Sequence, residues 1–312
     1  MKTMMALRAH SRGGPEQLVY ERAPVPVPGE GEVLIAVHAA AITFTELDWD
    51  LSWATHDGLD RTPVIPSHEV SGTVAEPGPG VTGLTVGDEV YGLIDFDRNG
   101  AAAAYATVPA HTLALKPRSV SHAEAAALPL AALTAWQAMV DHAAVAPGDR
   151  VLVHGGAGGV GVYAVQIAAS LGAAVTATDV PAHEAFVKEL GAERFIDFTR
   201  EEFDQVASDF DVVLDTVGGR TLERSYGVLR SGGRLVTLGA PPSGEQAAEH
   251  GVQAMFFIVR PDAAELAELA LRVDDGRLRP VVSQTFPLES GRAAFESGRL
   301  PHPPGKTVLI VR

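Results

Sequence analysis

The segment from Val151 to Asp179, VLVHGGAGGVGVYAVQIAASLGAAVTATD, sets small residues and one carboxylate at spacings suited to ligand chemistry. Gly156, Gly158, Gly159 and Gly161 close an apolar run and open a helical one. Without Cβ atoms, such a turn lets the backbone approach a pyrophosphate. The helix starting at Val160 would point its unsatisfied N–H groups at the same phosphates. Asp179 ends the next strand-like run, where a carboxylate can accept hydrogen bonds from an adenosine ribose. A plain glycine turn is the competing reading, but a strand on one side and a helix on the other favour a dinucleotide. The stretch from Thr176 to Val187 has no Arg or Lys, and His183 is its single candidate cation. A 2′-phosphate about 4 Å from Asp179 would be disfavoured by about 4 kcal/mol at an effective dielectric of about 20. That is about a thousandfold in affinity, less where solvent screens the pair. NADH is therefore expected to bind at least as well as NADPH.

The elements that must carry these residues fall into two regimes. Residues 1 to 118 are rich in Pro and Gly, with short runs such as EVLIAVHAAAI, SGTVAEP and DEVYGL that read as strands and turns. Ser121 and Glu124 form a capping box that starts a helical stretch, and Pro129 divides it in two. Beyond Asp149, strands are expected at 151–154, 173–178, 194–198, 211–216, 233–238 and 253–259. Helices at 160–171 and 183–190 end at Gly172 and Gly191, and another follows Pro261 and runs to about Asp275. Six strands with helical crossovers imply a doubly wound parallel sheet. VVSQTFP and KTVLIVR then read as strands returning to the first regime.

Composition narrows the function classes. The chain has 312 residues, 46% of them hydrophobic, and a formal charge of −15. It is long enough for two domains, and its charge repels nucleic acid and anionic membranes. With no cysteine, disulfides, thiolate catalysis and Cys-based zinc sites are excluded. The N-terminus lacks the apolar core of a signal peptide, and Ala123 to Val140 reads as buried helix because Glu124, Pro129 and Gln137 interrupt it. A soluble cytoplasmic protein is expected.

The order of parts resembles the medium-chain dehydrogenase/reductase superfamily, in its zinc-free quinone oxidoreductase branch. The stretches that carry the resemblance are PVPVPGEGEVLIAVHAAAI, VIPSHEVSGTVAEPGPGVTGLTVGDEVYG, ALPLAALTAWQAM, VLVHGGAGGVG, DVVLDTVGG, GGRLVTLG and GKTVLIVR. The resemblance implies an α/β chain. A GroES-like, mostly β substrate domain (1–118, completed by 276–312) would hold an inserted Rossmann domain with a six-stranded parallel sheet (119–275). It also implies a nicotinamide cleft between the domains.

In zinc-dependent relatives, a Cys, a His and a second Cys hold the metal. The resemblance places Thr43, His68 and Leu130 at these positions, so two of the three ligands are missing. A different metal site from His56, Asp57, His68 and Glu69 would lack a recognised spacing. Without a metal to stabilise charge, the acceptor must spread it. Quinones and α,β-unsaturated carbonyls do so, which favours zinc-independent, NAD(P)H-dependent hydride transfer to a quinone or similar conjugated carbonyl. An enoyl or enone reductase and a non-catalytic dinucleotide-binding regulator are the alternatives.

By the same resemblance, Thr43, Phe44, Thr45 and Glu46 form the cleft-lining turn, with Thr45 read either as donor to the developing oxyanion or as a turn hydroxyl that satisfies local backbone. Trp49 and Trp53, four residues apart, read either as one helical face walling a flat substrate or as two ordinary core or surface aromatics. His68 is expected to line the cleft or to sit as a hydrogen-bonded core residue, rather than to hold a metal. Thr134, Val160, Asp215, Val217, Gly218, Leu238, Gly239, Ala240, Phe257 and Val259 complete the implied cofactor contacts. Relatives commonly dimerise along the Rossmann sheet edge, so a homodimer is expected, and Ala254 to Val259 reads either as the strand that serves it or as a covered inner strand.

Overall fold

The structure, a computed structural model, describes residues 2–312. The chain opens with seven strands: β1 (Thr3–Ala9), β2 (Leu18–Pro24), β3 (Glu32–Ile42), β4 (Glu69–Pro77), β5 (Glu89–Leu93), β6 (Tyr105–Pro109) and β7 (Leu113–Leu115). The short helix α1 (Asp50–Trp53) lies between β3 and β4, and α2 (His122–Ala126) and α3 (Pro129–Trp136) follow β7. Six strands then alternate with helices: β8 (Arg150–His154), α4 (Gly161–Ser170), β9 (Ala174–Asp179), α5 (Glu184–Glu189), β10 (Arg194–Asp197), α6 (Phe203–Val206), β11 (Phe210–Asp215), α7 (Gly219–Ser225), β12 (Leu229–Thr237), α8 (Gly244–His250) and β13 (Gln253–Phe256). The chain closes with α9 (Ala263–Asp274), β14 (Val282–Pro287), α10 (Gly291–Glu296) and β15 (Lys306–Ile310).

These elements form two compact units. One contains residues 2–133, 260–276 and 280–312, and the other 134–259 and 277–279. The sequence placed the borders at 118/119 and 275/276, so α9 falls in the first unit rather than the second. Side chains explain this. The Tyr91 hydroxyl donates to the Leu266 carbonyl at 2.5 Å, and the Asp274 carboxylate accepts from the Arg118 and Ser119 N–H groups. Leu266, Leu269, Ala270 and Val273 form the buried stripe of α9.

In the first unit, a seven-stranded sheet runs β14-β15-β3-β4-β5-β7, with β6 also paired to β3, and β1 pairs separately with β2. Register decides what can meet. Thr307 faces Ile42 across β15 and β3, and Ala41 faces Glu69 across β3 and β4. Thr43, Glu69 and Lys306 therefore gather at one end of three neighbouring strands. Val33, Ile35, Val70, Val90 and Ile94 pack one core, while Leu7, Leu18, Trp53 and Phe295 belong to another.

In the second unit, six parallel strands run β10-β9-β8-β11-β12-β13. The order reverses between β8 and β11, where the crevice beyond the strand ends is the usual ligand position of such sheets. All six residues of the central strand β11 are buried, as expected of a strand covered on both faces. β13 is an edge strand and stops at Phe256, three residues before the end expected from sequence. Among the described residues, no helix is long and apolar enough to cross a membrane.

Candidate functional site

The glycine turn leaves β8 at its carboxyl end. The Gly155 and Gly156 N–H groups both donate to the Thr178 carbonyl at 3.0 Å, tying the turn to β9. Gly155 has a φ of +71°, and a Cβ there would stand 2.7 Å from Thr216 Oγ1. The sequence reading passed over this glycine, although its pairing with Gly156 was a signal. At Gly161 a Cβ would lie 1.9 Å from the Gly155 carbonyl oxygen, so only glycine fits this crossing. Helix α4 starts here without a side-chain cap. Among the described residues, the Gly159, Val160 and Gly161 N–H groups meet no protein acceptor. Three free donors at the start of a buried helix suit a pyrophosphate.

Asp179 ends β9 and folds back on this turn. Its Oδ2 accepts from the Ala157 N–H at 2.8 Å, and its Oδ1 accepts from the Val180 N–H at 2.8 Å. His183 Nδ1 also lies 2.8 Å from Oδ1, so the candidate cation of this loop is paired with the carboxylate.

Beyond β11, the fully buried Asp215 accepts from the Val217 and Gly218 N–H groups and the Thr237 hydroxyl. Its carboxylate thus shapes the turn. Val217, 60% exposed, stands at the surface beyond it. A Cβ on Gly239 would come within 2.8 Å of Gly218 Cα, so these two strand-end turns pack backbone on backbone. Leu238 is half-buried and Ala240 exposed after β12. Thr134 is buried within α3, as its sixth residue. Phe257 lies past β13 with its ring centroid 4.4 Å from that of His142, and Val259 is buried.

In the first unit, the turn after β3 brings together side chains distant in sequence. The Lys306 ammonium donates to Thr43 Oγ1 at 3.1 Å and lies 2.6 Å from Glu69 Oε2. The latter contact is an ion pair whose angles miss those of a hydrogen bond. Glu69 Oε1 accepts from the Leu130 N–H at 2.9 Å and the Ala131 N–H at 3.4 Å, at the start of α3. Lys306 and Glu69 are 5% and 1% exposed, so the pair is shielded from water. The sequence reading missed Lys306, whose one signal was a lysine leading an apolar closing strand.

Glu46 is buried beside them and accepts from the Ser67 N–H at 2.9 Å. Burial pushes its carboxyl up to about 8, while the Ser67 N–H and the Lys306 charge pull it back. His68 is buried too, and loss of hydration lowers its imidazole to about 4. Its Nδ1 and the neighbouring Ser67 Oγ have no hydrogen-bond partner.

Thr45 is exposed and makes no capping bond to the turn that follows. Phe44 is half-buried, its ring centroid 5.2 Å from that of His302. A Cβ on Gly298 would overlap the Phe44 ring at 2.2 Å, so that glycine makes room for it.

Of the two readings of the tryptophans, the shared wall does not form. Helix α1 has four residues and Trp49 is extended before it, so the two indoles cannot share a helical face. Trp53 turns into the core and donates its Nε1–H to the Leu47 carbonyl at 2.8 Å. Trp49 instead meets Phe96 edge-on at 5.4 Å, and Phe96 meets His68 at 5.2 Å. The aromatic surface is Trp49–Phe96–His68, which brings in a residue that the sequence reading did not consider.

His56 is exposed and lies 3.4 Å from Asp97, while Asp57 bonds Thr55. Among the described residues, no three His, Cys, Asp or Glu side chains converge as a metal site. Leu130 is buried and offers Glu69 only its backbone N–H. A cavity of about 290 Å³ opens elsewhere in this unit, lined by Met4, Ile65, Asn99 and Tyr105, and no candidate residue lines it.

A Rossmann sheet with free N–H groups at its first turn, together with a GroES-like unit, defines a nicotinamide-dependent oxidoreductase. Comparison with known proteins agrees. The family described as alcohol dehydrogenase GroES-like domain matches residues 29–118, zinc-binding dehydrogenase matches 190–309, and alanine dehydrogenase/PNT, C-terminal domain matches 131–221. The quinone oxidoreductase structure from Coxiella burnetii superposes with a TM-score of 0.93 at 32% identity, covering 100% of both chains. The 2-methylene-furan-3-one reductase of Solanum lycopersicum is 35% identical, over 86% of this chain and 71% of the relative. Polyketide synthase GfsB of Streptomyces halstedii is 37% identical over 90% of this chain, which spans 5% of that synthase. The chain belongs to the medium-chain dehydrogenase/reductase superfamily and is an NAD(P)H-dependent oxidoreductase.

Proposed function

We propose that the protein transfers hydride from NAD(P)H to a quinone or similar conjugated carbonyl without zinc. The observation that carries this reading is the set of side chains at the metal positions of zinc-dependent relatives. Thr43 is tied to Lys306, Leu130 gives Glu69 a backbone N–H, and among the described residues His68 belongs to no group of three His, Cys, Asp or Glu side chains. Such a site favours an acceptor that delocalises its own negative charge.

A bound NAD(P)H supplies the hydride, with both electrons. On the protein side, the Gly159, Val160 and Gly161 N–H groups would hold the pyrophosphate. Gly156 and Gly158 let the turn come close, and Asp179 would bind the ribose. The strand-end residues Asp215, Val217, Gly239 and Ala240, with Thr134, Phe257 and Val259, would frame the rest of the cofactor. Thr43, Phe44, Thr45, Trp49 and His68 would receive the acceptor, with Thr45 offering a hydroxyl to the developing oxyanion. Trp53 would support that surface from the core. Asp179 favours NADH over NADPH, because its charge opposes a 2′-phosphate. The exposed edge at β13 suits a homodimer, and light scattering in solution tests it.

A second reading, reduction of a carbon–carbon double bond conjugated to a carbonyl, draws support from the furanone reductase and polyketide synthase relatives. One assay separates the two. Oxidation of NADH and NADPH is followed with EDTA present, using a naphthoquinone in one series and a 2-enone in the other. Quinone turnover alone supports the first reading, and faster enone turnover moves the assignment to the second. Activity that disappears with EDTA and returns with zinc removes the metal-free mechanism.

A further inference from the structure

We propose that Thr43, held by the buried Lys306–Glu69 ion pair, donates the hydrogen bond that stabilises the oxyanion formed when hydride reaches the acceptor. This rests on the conjugated-carbonyl reading above and adds a catalytic residue to it. An ammonium group can only donate, so Thr43 Oγ1 is the acceptor of its 3.1 Å bond with Lys306 Nζ. The threonine's own proton is then left to donate elsewhere. A hydroxyl that accepts from a cation becomes a stronger donor, because the charge polarises its O–H bond.

The arrangement is fixed from behind. Glu69 holds the ammonium through Oε2, and its Oε1 is anchored on the Leu130 and Ala131 N–H groups. Lys306 is 5% exposed, so water screens its charge little. Thr43 itself is half-buried, the member of the trio nearest solvent. Thr45 is exposed and has no cation behind it, which makes it the weaker donor of the two. Lys306 and Glu69 are positioning residues that act through Thr43.

Electrons balance without a further reactant. Hydride carries two electrons from the nicotinamide to a conjugated carbon. The acceptor's π electrons move onto its oxygen, the Thr43 O–H bonds that oxygen, and a proton from water completes the reduction.

Kinetics of Thr43→Val, Thr43→Ser, Thr45→Ala and the paired variant Lys306→Met/Glu69→Gln, with naphthoquinone and 2-enone, test the assignment. Thr43→Val should lower kcat at least about tenfold while leaving the KM for NAD(P)H in place, since the lost bond forms only with the oxyanion. Thr43→Ser should recover most of that loss. The paired variant avoids stranding a buried charge, and should lower kcat in the wild-type background but not further in Thr43→Val. Absorbance titration with 4-nitrophenolate, a stable oxyanion, should show about tenfold weaker binding to Thr43→Val. Wild-type kcat and nitrophenolate affinity in Thr43→Val would overturn the donor role. Multiplicative losses in the triple variant would overturn the role of Lys306 through Thr43. If the wild-type protein reduces neither acceptor class, the conjugated-carbonyl reading fails, and the oxyanion role fails with it.

Discussion

Asp179 shows how far a single residue can be read before the fold is known. Its place at the end of a strand and the lack of Arg or Lys around it were legible in the sequence, and β9 does end there. Its partners were not, because the Ala157 N–H and the His183 ring reach it only through the fold. Asp179→Asn keeps an acceptor for Ala157 and removes the charge. It should raise NADPH affinity relative to NADH by about tenfold or more, less than the unscreened Coulomb figure because solvent and His183 share the field. Fluorescence titration with both cofactors measures this, and an unchanged affinity ratio would remove Asp179 from cofactor selection. Lys306 marks the opposite limit. Nothing local connects it with Glu69 or Thr43, and only strand register brings the three together.

Elements with strong local signals were readable, and elements set by packing were not. The Ser121–Glu124 capping box is present, with the Ser121 N–H donating to Glu124 Oε2 at 2.8 Å, and Pro129 starts a separate helix as expected. The six parallel strands also sit within a few residues of their predicted places. The tryptophan pair failed because spacing four implies a shared face only in a continuous helix. Here one short turn ends at Trp53, whose indole finds a carbonyl in the core. The turn before α4 offers a sharper test of element geometry. A methyl group at Gly161 would stand 1.9 Å from the Gly155 carbonyl, and neither backbone segment can yield independently. Gly161→Ala should therefore displace the turn and weaken NADH binding at least about tenfold, with a smaller effect on thermal stability. Equal affinity for wild type and variant in calorimetric titration would show that this turn does not hold the pyrophosphate.

At the scale of the molecule, buried ionisable groups in each unit contribute to the response to pH. Burial raises Glu46 to about 8, so the folded chain keeps a proton that the unfolded chain releases above about 4.5. Its contribution to stability is full below that point and is lost as pH rises to about 8. Burial lowers His68 and His154 to about 4, so the unfolded chain binds protons there that the folded chain refuses. Their contribution is full above about 6.5 and is lost as pH falls towards 4. Each group changes stability by about 1.4 kcal/mol per pH unit within its own window. Between about 4.5 and 6.5 the two histidines outweigh the single glutamate, and the joint contribution of these three groups climbs with pH by about 1.4 kcal/mol per unit. Above 6.5 Glu46 acts alone, and stability falls by a similar slope until about pH 8. These three groups thus place a stability maximum near pH 6.5, away from the sequence pI of about 5.1. Denaturant unfolding at half-unit pH steps should trace this peak, and Glu46→Gln should flatten its alkaline side and steepen the rise between about 4.5 and 6.5 to about 2.7 kcal/mol per unit. An alkaline limb that survives in Glu46→Gln would mean that this carboxyl is not the buried acid behind it.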